Sequence, residues 1–436
     1  MDPLSIGLLA FAVLFILLIL TVPIGFAMGL CGLAGMSMII GVAPSLSLFG
    51  TTVYETTVTY DLSIVPLFVL MGAVAARSGL SQELYGAFNA WFGAFRGGLA
   101  LATVGACGAF AAICGSSVAT AATMSKVALP EMERYKYADS LATGSVAAGG
   151  IIGILIPPSV VLVLYGVLTE TSIGDLFIAG FLPGVLTIAG FMLVVVVVTR
   201  LHPDAGPAGE RVSLMEKLAA LGRTWAILLL FALVIGGIYF GVFTPTEAAG
   251  IGAVGAFVIS ALRGRLRIAN VREALMEPVP APAKVFAILI GALPLTNLMV
   301  FSGIAGALSG FVSGLDMHPM AVMAVILLIY LVMGCFLDAL AMILLTVPIF
   351  FPIIIDLGFD PVWFGVIVVM VVELGLITPP IGMNVFVIKG MVPDVKLSSI
   401  YKGVIPFVVA QFVLIILVFL VPDIALWLPE TAKAFR

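Results

Sequence analysis

The stretch GILIPPS, residues 153–159, places two consecutive prolines inside an apolar run that extends from Ala138 to Leu168. Proline removes a backbone donor and clashes with the preceding turn of a helix, so two in a row break a helix. Within lipid no water replaces the lost hydrogen bonds. The stretch therefore predicts a discontinuous membrane helix, with two helix ends exposed at membrane depth.

The composition of the whole chain agrees with a membrane protein. Of its 436 residues 62% are hydrophobic and only 10% are charged, whereas a soluble domain is about 25% charged. The net charge of −4 leaves no basic stripe for nucleic acid. The first apolar run, Leu4 to Leu20, has neither a basic flank nor a small-residue cleavage site, which favours a retained span over a signal peptide. The fold class is therefore predicted to be all-α and polytopic.

The distribution of charges predicts the topology, because basic residues concentrate in cytoplasmic loops. Basic clusters alternate along the chain with purely acidic loops, and placing the former inside gives ten crossings with both termini outside. The exceptions are Lys433 and Arg436 in the tail, whose side is left open. The predicted crossings are 4–20, 24–42, 62–76, 138–168, 176–199, 224–243, 246–262, 283–314, 361–392 and 398–421.

One apolar run is too short for the topology that its flanks require. Arg96 and Lys126 both fall inside, so the chain between them must leave the cytoplasm and return to it. Only Gly98 to Met124 lies between them, which is too short to cross the bilayer twice at about 20 residues per crossing. The simplest solution is a re-entrant hairpin that enters from the cytoplasm and turns at CGSS, residues 114–117.

A second run mirrors the first from the opposite side. Asp316 and Asp356 are both placed outside, with GCFLD, residues 334–338, midway between them. This pattern predicts a hairpin that enters from the exterior. The alternative, in which each run is a single crossing and the charge pattern is accidental, stays open.

Two polar segments are predicted to lie outside the bilayer. The stretch Ser81 to Phe95 is too polar for a span and suits an amphipathic helix at the cytoplasmic surface. Leu201 to Arg223 contains proline and glycine turn signals and is interpreted as a cytoplasmic linker between two halves of the chain.

The doubled proline occurs twice, which indicates an internal repeat. GLITPPIG at 375–382 matches GILIPPSV at 153–160, each with a glycine four residues before its first proline. Upstream, MGAVAARSG at 71–79 resembles FSGIAGALSG at 301–310, with Gly72 and Gly303 in register. Because the two hairpins enter from opposite sides, the halves are inverted. Inverted repeats with discontinuous helices are typical of secondary transporters.

The repeat divides the chain into five parts. Each half carries a span, a hairpin, a broken helix and a further span. The predicted parts are N-terminal scaffold spans 1–60, a first repeat 61–200, a linker with scaffold spans 201–282, a second repeat 283–421 and a C-terminal tail 422–436.

The breaks and hairpin tips predict the functional site. Free carbonyls at a helix C-terminus suit a hard cation such as Na⁺, and free amides at an N-terminus suit an anion. A tip beside a break therefore builds a polar cage in a dry region, and two cages suggest two cation sites with an anion between them. The predicted Na⁺ ligands are Gly115, Ser116, Ser117, Gly153, Gly334, Asp338, Thr378, Gly382 and Met383. The predicted substrate contacts are Ser116, Pro157, Pro158, Ser159, Thr378, Pro379 and Asn384.

Two acids lie well inside apolar runs and have open roles. Ionisable residues at membrane depth are functional candidates by default. Asp338 suits charge balance for a cation or a proton, or alternatively an N-cap of the second hairpin helix. Glu373 suits charge balance, or a pair with a base or with backbone amides. The serines at tip and break suit ion binding, or alternatively close packing among small residues.

The motifs resemble one family over essentially the whole chain. ICGSSVATAATMSKVALPEM, YADSLATGSVAAGGIIGILIPPSVVLVLYG and GLITPPIGMNVFVIKG are similar to the large membrane subunit of tripartite ATP-independent periplasmic (TRAP) transporters. The resemblance implies import of an organic acid such as a dicarboxylate, sugar acid or sialic acid, coupled to a Na⁺ gradient. It also implies an elevator movement, with spans 4–42 and 224–262 in the scaffold.

The same resemblance implies partners and a location. A periplasmic binding protein would deliver the substrate, and a small four-helix membrane subunit, expected here as a separate polypeptide, would accompany the large one. The membrane would be the cytoplasmic membrane of a bacterium or archaeon, with the N-terminus on the periplasmic side. No organic cofactor is expected, and no nucleotide-binding loop is present to supply ATP drive within this chain.

Two other functions compete with this one. A stand-alone Na⁺- or H⁺-coupled dicarboxylate symporter would share the architecture but need no binding protein. An intramembrane enzyme would use Asp338 and Glu373 as a carboxylate pair, although they are 35 residues apart and on separate elements. Substrate identity lies outside what the sequence determines.

Overall fold

The computed structural model describes residues 1–264, 268–276, 279–314 and 317–434, and every regular element in these ranges is helical. Short 3₁₀ turns occur at Tyr60–Ser63, Ile152–Ile154 and Pro203–Ala205. The α-helices are α1 Pro3–Ile19, α2 Ile24–Ile40, α3 Val42–Val58, α4 Ile64–Arg77, α5 Leu80–Phe92, α6 Gly98–Cys114, α7 Ser117–Arg134, α8 Asp139–Ile151, α9 Val160–Thr169, α10 Ile173–Leu201, α11 Leu214–Arg223, α12 Trp225–Tyr239, α13 Pro245–Leu262, α14 Ile268–Met276, α15 Pro280–Ser302, α16 Ile304–Ser313, α17 Pro319–Gly334, α18 Ala339–Asp356, α19 Pro361–Ile377, α20 Met383–Met391, α21 Leu397–Leu420 and α22 Asp423–Lys433.

The lengths and hydropathy of these helices fit a multi-pass membrane protein. Among the described residues six helices are long and apolar enough to cross a bilayer alone, counting the turn at Tyr60–Ser63 with α4. The pair α11 and α12, bent by 48°, is a seventh candidate. Seven further apolar helices have 10–17 residues and include α6 and α17, the first arm of each helix pair, and α8, α9 and α19 of the broken helices. The all-α polytopic fold is confirmed, whereas the count of ten crossings stays a prediction.

The order of helices repeats along the chain. From α4 to α10 and again from α15 to α21 there is a helix, a short helix, a helix pair, a broken helix and a long helix. The breaks occur where the doubled prolines stand, between α8 and α9 and between α19 and α20, and both Pro–Pro peptide bonds are cis. The discontinuity of these two helices is therefore as predicted.

The two halves interlock through small residues. Helix α2 packs against α15, and α13 packs against α4. A β-carbon on Gly291 would lie 1.9 Å from the carbonyl oxygen of Gly25, and one on Gly252 would lie 2.6 Å from the Met71 sulfur. Glycines permit this close approach of helices, which is how membrane helices gain packing energy without a hydrophobic drive.

The centre of the molecule consists of α6, α8 and α19, which are buried over nearly their whole length. Helix α19 begins sharply because the Asp360 carboxylate accepts hydrogen bonds from the amides of Val362 and Trp363 at 2.8 and 3.0 Å, with Pro361 in the first turn. These central helices hold the breaks in place.

Several elements differ from the sequence prediction. The crossing predicted at 283–314 is interrupted at Gly303, which has φ +71° and separates α15 from α16. Its positional counterpart in the first half is Gly79, φ +73°, between α4 and α5. The register that aligned Gly72 with Gly303 was therefore wrong, since Gly72 lies inside α4 against Cys114.

Four helices lie where no element was predicted. The residues after the second span form α3, the linker contains the short helix α11, α14 lies between the predicted spans 246–262 and 283–314, and the tail forms α22, which packs on α10. The surface helix predicted over Ser81 to Phe95 corresponds to α5, Leu80–Phe92.

Candidate substrate and ion site

The first hairpin tip touches the first break. Tip 1 is Gly115–Ser116, between α6 and α7, and break 1 is the segment 152–159 between α8 and α9. A β-carbon on Gly115 would lie 2.5 Å from the carbonyl oxygen of Pro158. One on Gly153 would lie 2.8 Å from the carbonyl oxygen of Ser116 and 2.7 Å from the Thr120 hydroxyl. Glycine at both positions is therefore what permits the contact.

The second tip touches the second break in a similar way. Tip 2 is the segment 335–338, between α17 and α18, and break 2 is the segment 378–382. A β-carbon on Gly375 would lie 2.6 Å from the backbone of Gly334, so the two helices meet backbone to backbone. The amide of Gly382 donates to the carbonyl of Cys335 at 3.5 Å. Each tip thus lies beside the break of its own half, as predicted from the sequence.

Carbonyl and hydroxyl oxygens gather at both contacts. At the second, the carbonyl oxygens of Leu376 and Thr378 would lie 3.2 and 3.1 Å from a β-carbon on Gly382. The Thr378 hydroxyl donates to the Leu374 carbonyl at 2.6 Å, which leaves its lone pairs available. Neutral oxygens in this arrangement are ligands suited to a hard cation.

Two buried oxygens without a partner lie at the first contact and beside α8. Thr120 is fully buried, and its hydroxyl has no hydrogen-bond partner within the described ranges. Asn384, also fully buried, donates its amide to the Ala147 carbonyl at 3.5 Å, while its side-chain oxygen has no donor. Buried polar atoms nearly always have a hydrogen-bond partner. These two oxygens therefore indicate a place for a cation or a hydrogen-bond donor.

Four helices begin at one cavity of about 760 Å³. Its lining includes the first residue of α7, α9, α18 and α20, namely Ser117, Val160, Ala339 and Met383. A helix N-terminus carries unpaired amides and a partial positive charge, so it attracts anions. Two of these helices come from each half of the chain, and the cavity therefore lies where the repeats meet.

Charged side chains on the cavity lining are mainly basic. The lining includes Arg77, Lys126, Lys284 and Asp338. The Lys284 ammonium lies 2.9 Å from the Asp338 carboxylate, and Arg77 pairs with Glu273. Lys126 is exposed, and no described carboxylate pairs with it. One basic group is thus available to an anionic ligand without breaking an ion pair.

Asp338 has two interactions at tip 2. Besides the pair with Lys284, its carboxylate accepts a hydrogen bond from the Ala341 amide at 2.8 Å and caps α18. The N-cap alternative is therefore what the structure shows, with a role in charge balance still a prediction. Ser116 and Ser159 cap α7 and α9 in the same manner, through the amides of Ala119 and Leu162.

Glu373 lies away from the cavity lining. It is fully buried in α19, and neither carboxylate oxygen has a partner among the described residues. Its predicted pair with a base or with backbone amides is not present there. Asp338 lines the cavity and Glu373 does not, so the cavity does not bring them together as a carboxylate pair.

The predicted site residues separate into two groups. Those on the cavity lining are Gly115, Ser116, Ser117, Asp338 and Met383. Those at the tip–break contacts or breaks, away from the lining, are Gly153, Pro157, Pro158, Ser159, Gly334, Thr378, Pro379, Gly382 and Asn384. Break 1 is buried throughout its prolines, whereas Pro379 and Pro380 are exposed.

The sequence interpretation missed four residues of the site. Arg77, Lys126 and Lys284 were assigned to loops or span ends, and only the folded chain brings them to one cavity. Thr120 was missed although it follows the CGSS motif by one helical turn, the spacing that returns a side chain to the same helix face.

The family of the chain follows from direct comparison. The family model described as "Tripartite ATP-independent periplasmic transporter, DctM component" matches residues 11–424. The chain belongs to this family. The resemblance drawn from the CGSS and doubled-proline motifs is therefore confirmed, and the chain is a TRAP transporter large subunit.

Relatives of this DctM-family chain carry different substrate names. The C4-dicarboxylate TRAP transporter large permease protein DctM of Pseudomonas aeruginosa is 38% identical over 401 residues, 92% of this chain and 93% of that protein. The sialic acid TRAP transporter large permease protein SiaM of Vibrio cholerae is 32% identical, over 85% of this chain and 86% of that protein.

A solved structure shares the fold of this DctM-family chain. The crystal structure of the Alcanivorax borkumensis YdaH transporter matches with a TM-score of 0.63, over 87% of this chain and 88% of that chain. The sequence identity is 16%, so the likeness concerns the fold alone.

Proposed function

We propose that this chain is the large permease subunit of an importer that is driven by a sodium gradient and supplied by a periplasmic binding protein. Its substrate is an organic acid anion of the dicarboxylate, sugar acid or sialic acid class. The partners are a small four-helix membrane subunit and the binding protein, and the location is the cytoplasmic membrane, with the N-terminus on the periplasmic side.

The cavity where four helix N-termini meet carries this proposal. The partial positive charges of α7, α9 and α20 converge there without an acidic cap, whereas Asp338 caps α18, and Lys126 adds a full charge that no described acid neutralises. The volume of about 760 Å³ is in the range of about 300–1,000 Å³ that is usual for small-molecule sites. A carboxylate of a small organic acid fits both the charge and the space.

Sodium is the coupling ion in this proposal, on the strength of the two tip–break contacts. The first offers the Ser116 carbonyl and the Thr120 hydroxyl, with Asn384 beside the neighbouring α8, and the second offers the carbonyls at Leu376 and Thr378. Both lie beside helices that begin at the cavity. A cation bound at either contact would stabilise the tip and thereby the N-termini that face the substrate.

The transport movement is an elevator in which the hairpins and broken helices move against α4 and α15. The cavity lies between these two groups, since α4, α15 and all four N-termini contribute to its lining. Arg77, Lys126 and Lys284 stand on the side that the charge pattern assigns to the cytoplasm. The present conformation therefore corresponds to an inward-open state.

Reconstitution tests the proposal. Vesicles containing this chain and its small subunit should accumulate a labelled organic acid when the binding protein and an inward Na⁺ gradient are both present. Lys126→Gln should reduce uptake about tenfold, the effect of one charge-assisted contact of about 1.5 kcal/mol. Lys402→Gln, an equal charge change at an exposed position of α21, serves as the control. Uptake that does not depend on the Na⁺ gradient would contradict sodium coupling. Uptake lowered equally by Lys126→Gln and Lys402→Gln would contradict the role of the cavity.

A further inference from the structure

A second cavity, of about 460 Å³, lies between α5 and α11 and shares only Gln82 with the lining of the 760 Å³ cavity. Small residues leave the space open, since Gly79, Gly86 and Ala87 of the α5 side face Ala220 of α11 across it. Its polar lining consists of Gln82, Glu83 and Arg223. We call this cavity the α5–α11 cleft.

The charge of the cleft is set by Arg223. The carboxylate of Glu83 pairs with the Arg263 guanidinium, which also donates to the Arg223 carbonyl at 2.9 Å. Arg223 itself is exposed, and no described carboxylate pairs with it. The cleft therefore presents one uncompensated cation above a floor of small residues.

The outer face of α11 is apolar and exposed. Leu214, Leu218 and Leu221 recur at helical spacing, and their exposed fractions are 67%, 53% and 45%. Lys217 lies on the flank of this face and reaches toward α5, where its ammonium lies 5.9 Å from the Trp91 ring centre. Helix α11 thus rests on α5 by one face and leaves its leucine face uncovered.

The leucine face continues into a surface that meets lipid. Helix α12 follows α11 after a bend of 48° and is apolar enough to span with it. Its residues Trp225, Leu228 and Leu229 are exposed at 47%, 53% and 51%. A helix bent away from a span, with leucines on one side and Arg223 on the other, lies in the headgroup region of a bilayer. Tryptophan at the bend suits the same depth.

We infer that the α5–α11 cleft binds an anionic phospholipid. The phosphate and acidic headgroup pair with Arg223, with the Gln82 amide beside it, and the acyl chains cover the leucine face and run down α12. A zwitterionic lipid would supply the chains but not the net negative charge. Lipid is favoured over a protein as occupant because the exposed face is continuous with the surface of a membrane-spanning helix.

Tryptophan quenching by brominated lipid tests this assignment without any transport assay. The chain has four tryptophans, of which Trp363 is buried and Trp427 is exposed on α22. In a Trp427→Phe background the exposed indoles are Trp91 and Trp225, both adjacent to α11. Brominated phosphatidylglycerol is compared with brominated phosphatidylcholine at equal mole fraction, and the ratio of their effective affinities is measured.

The expected result is a preference for phosphatidylglycerol. Arg223→Gln should lower that preference about fivefold, the effect of one basic residue at an anionic surface. Ala220→Leu fills the cleft without changing its charge and should abolish the preference for phosphatidylglycerol. Arg134→Gln, the same charge change at the exposed end of α7, should leave it unchanged.

Three outcomes would overturn the assignment. Equal quenching by the two lipids would mean that the cleft does not recognise an anionic headgroup. If Arg134→Gln lowered the preference for phosphatidylglycerol as much as Arg223→Gln, the preference would be an effect of net charge only. A preference that survives Ala220→Leu would place the lipid outside the cleft. Indoles that neither brominated lipid quenches would mean that a protein covers this face.

Discussion

At the scale of single residues, the unsatisfied oxygen of Thr120 gives the most direct test of ion binding. The hydroxyl is buried at the first tip–break contact without a partner among the described residues. Thr120→Val keeps the shape and removes the oxygen. We expect the Na⁺ concentration for half-maximal uptake to rise about tenfold, because a ligand worth about 1.4 kcal/mol is lost.

The stability of the same variant separates ion binding from packing. Removing a buried polar atom that has no partner should leave the unfolding temperature in Na⁺-free buffer unchanged or slightly raised. Thr120→Ser restores the hydroxyl and should recover the Na⁺ dependence. A destabilised Thr120→Val with normal Na⁺ dependence would assign the residue a packing role only.

Gly375 tests the contact between tip 2 and its helix. A β-carbon there would lie 2.6 Å from the Gly334 backbone, so Gly375→Ala forces the helices apart. We expect a loss of about 1–3 kcal/mol in the free energy of unfolding, typical of overpacking, together with reduced uptake. Thermal unfolding in detergent measures the first effect and vesicle uptake the second.

Gly250→Ala is the matched control for this change. Gly250 also lies within a helix, α13, and a β-carbon there would meet nothing within 4 Å. Alanine at such a site should stabilise the helix by about 0.5–1 kcal/mol. If Gly375→Ala and Gly250→Ala changed stability and uptake equally, the Gly334–Gly375 contact would have no specific role in either.

Residues differ in how far the sequence predicts their roles. The positions of Gly153 and Gly375 beside the breaks were predicted, because each stands four residues before a doubled proline and the pattern occurs twice, whereas the predicted role of Gly153 as a Na⁺ ligand stays a prediction. Lys126 and Lys284 were not predicted as one site, because they are far apart in the chain and only the fold brings α7 and α15 to the lining of one cavity. Thr120 was missed because a threonine within a helix carries no signal of being unsatisfied.

At the scale of elements, prolines predicted breaks and glycines did not. The doubled prolines mark both discontinuous helices, since proline cannot continue a helix without losing a hydrogen bond. Gly303 interrupts a predicted crossing through a positive φ, but glycine is tolerated within helices as well as at their ends. Composition alone therefore could not distinguish Gly303 from Gly72, which lies within α4.

The ion pair between α15 and tip 2 gives a prediction at this scale. Lys284 and Asp338 are 59% and 25% exposed, so their pair contributes about 0–1 kcal/mol to stability. We expect Lys284→Gln and Asp338→Asn to leave the unfolding temperature nearly unchanged, since asparagine still caps α18. Both should change the uptake rate, because in the proposed elevator movement the pair joins an element of the scaffold to one that moves.

A double-mutant cycle on uptake identifies the pair as one unit. If each single variant removes the same interaction, the double variant should have about the same rate as either alone. Asp338→Ala is the contrasting variant, because it also removes the cap of α18 and should cost about 1 kcal/mol of stability. Rate effects that simply add would mean that Lys284 and Asp338 act separately.

At the scale of the whole molecule, the two halves provide one site because they exchange contacts. Helix α2 of the first half packs on α15 of the second, and α13 of the second packs on α4 of the first. The sequence predicted the order of elements in each half, since the motifs recur. It could not predict this exchange, because glycine-lined helix faces such as that of α2 fit many partners.

The dependence on a binding protein separates the proposed importer from a stand-alone symporter. Both would contain the basic cavity and the two tip–break contacts, so no variant within the cavity distinguishes them. In vesicles with a fixed inward Na⁺ gradient, we expect uptake only when substrate-loaded binding protein is added, with a rate that saturates as its concentration rises. Free substrate at the same total concentration should give no uptake above vesicles without the chain. Equal uptake of free substrate would identify a symporter that needs no delivery, even with the sodium dependence intact.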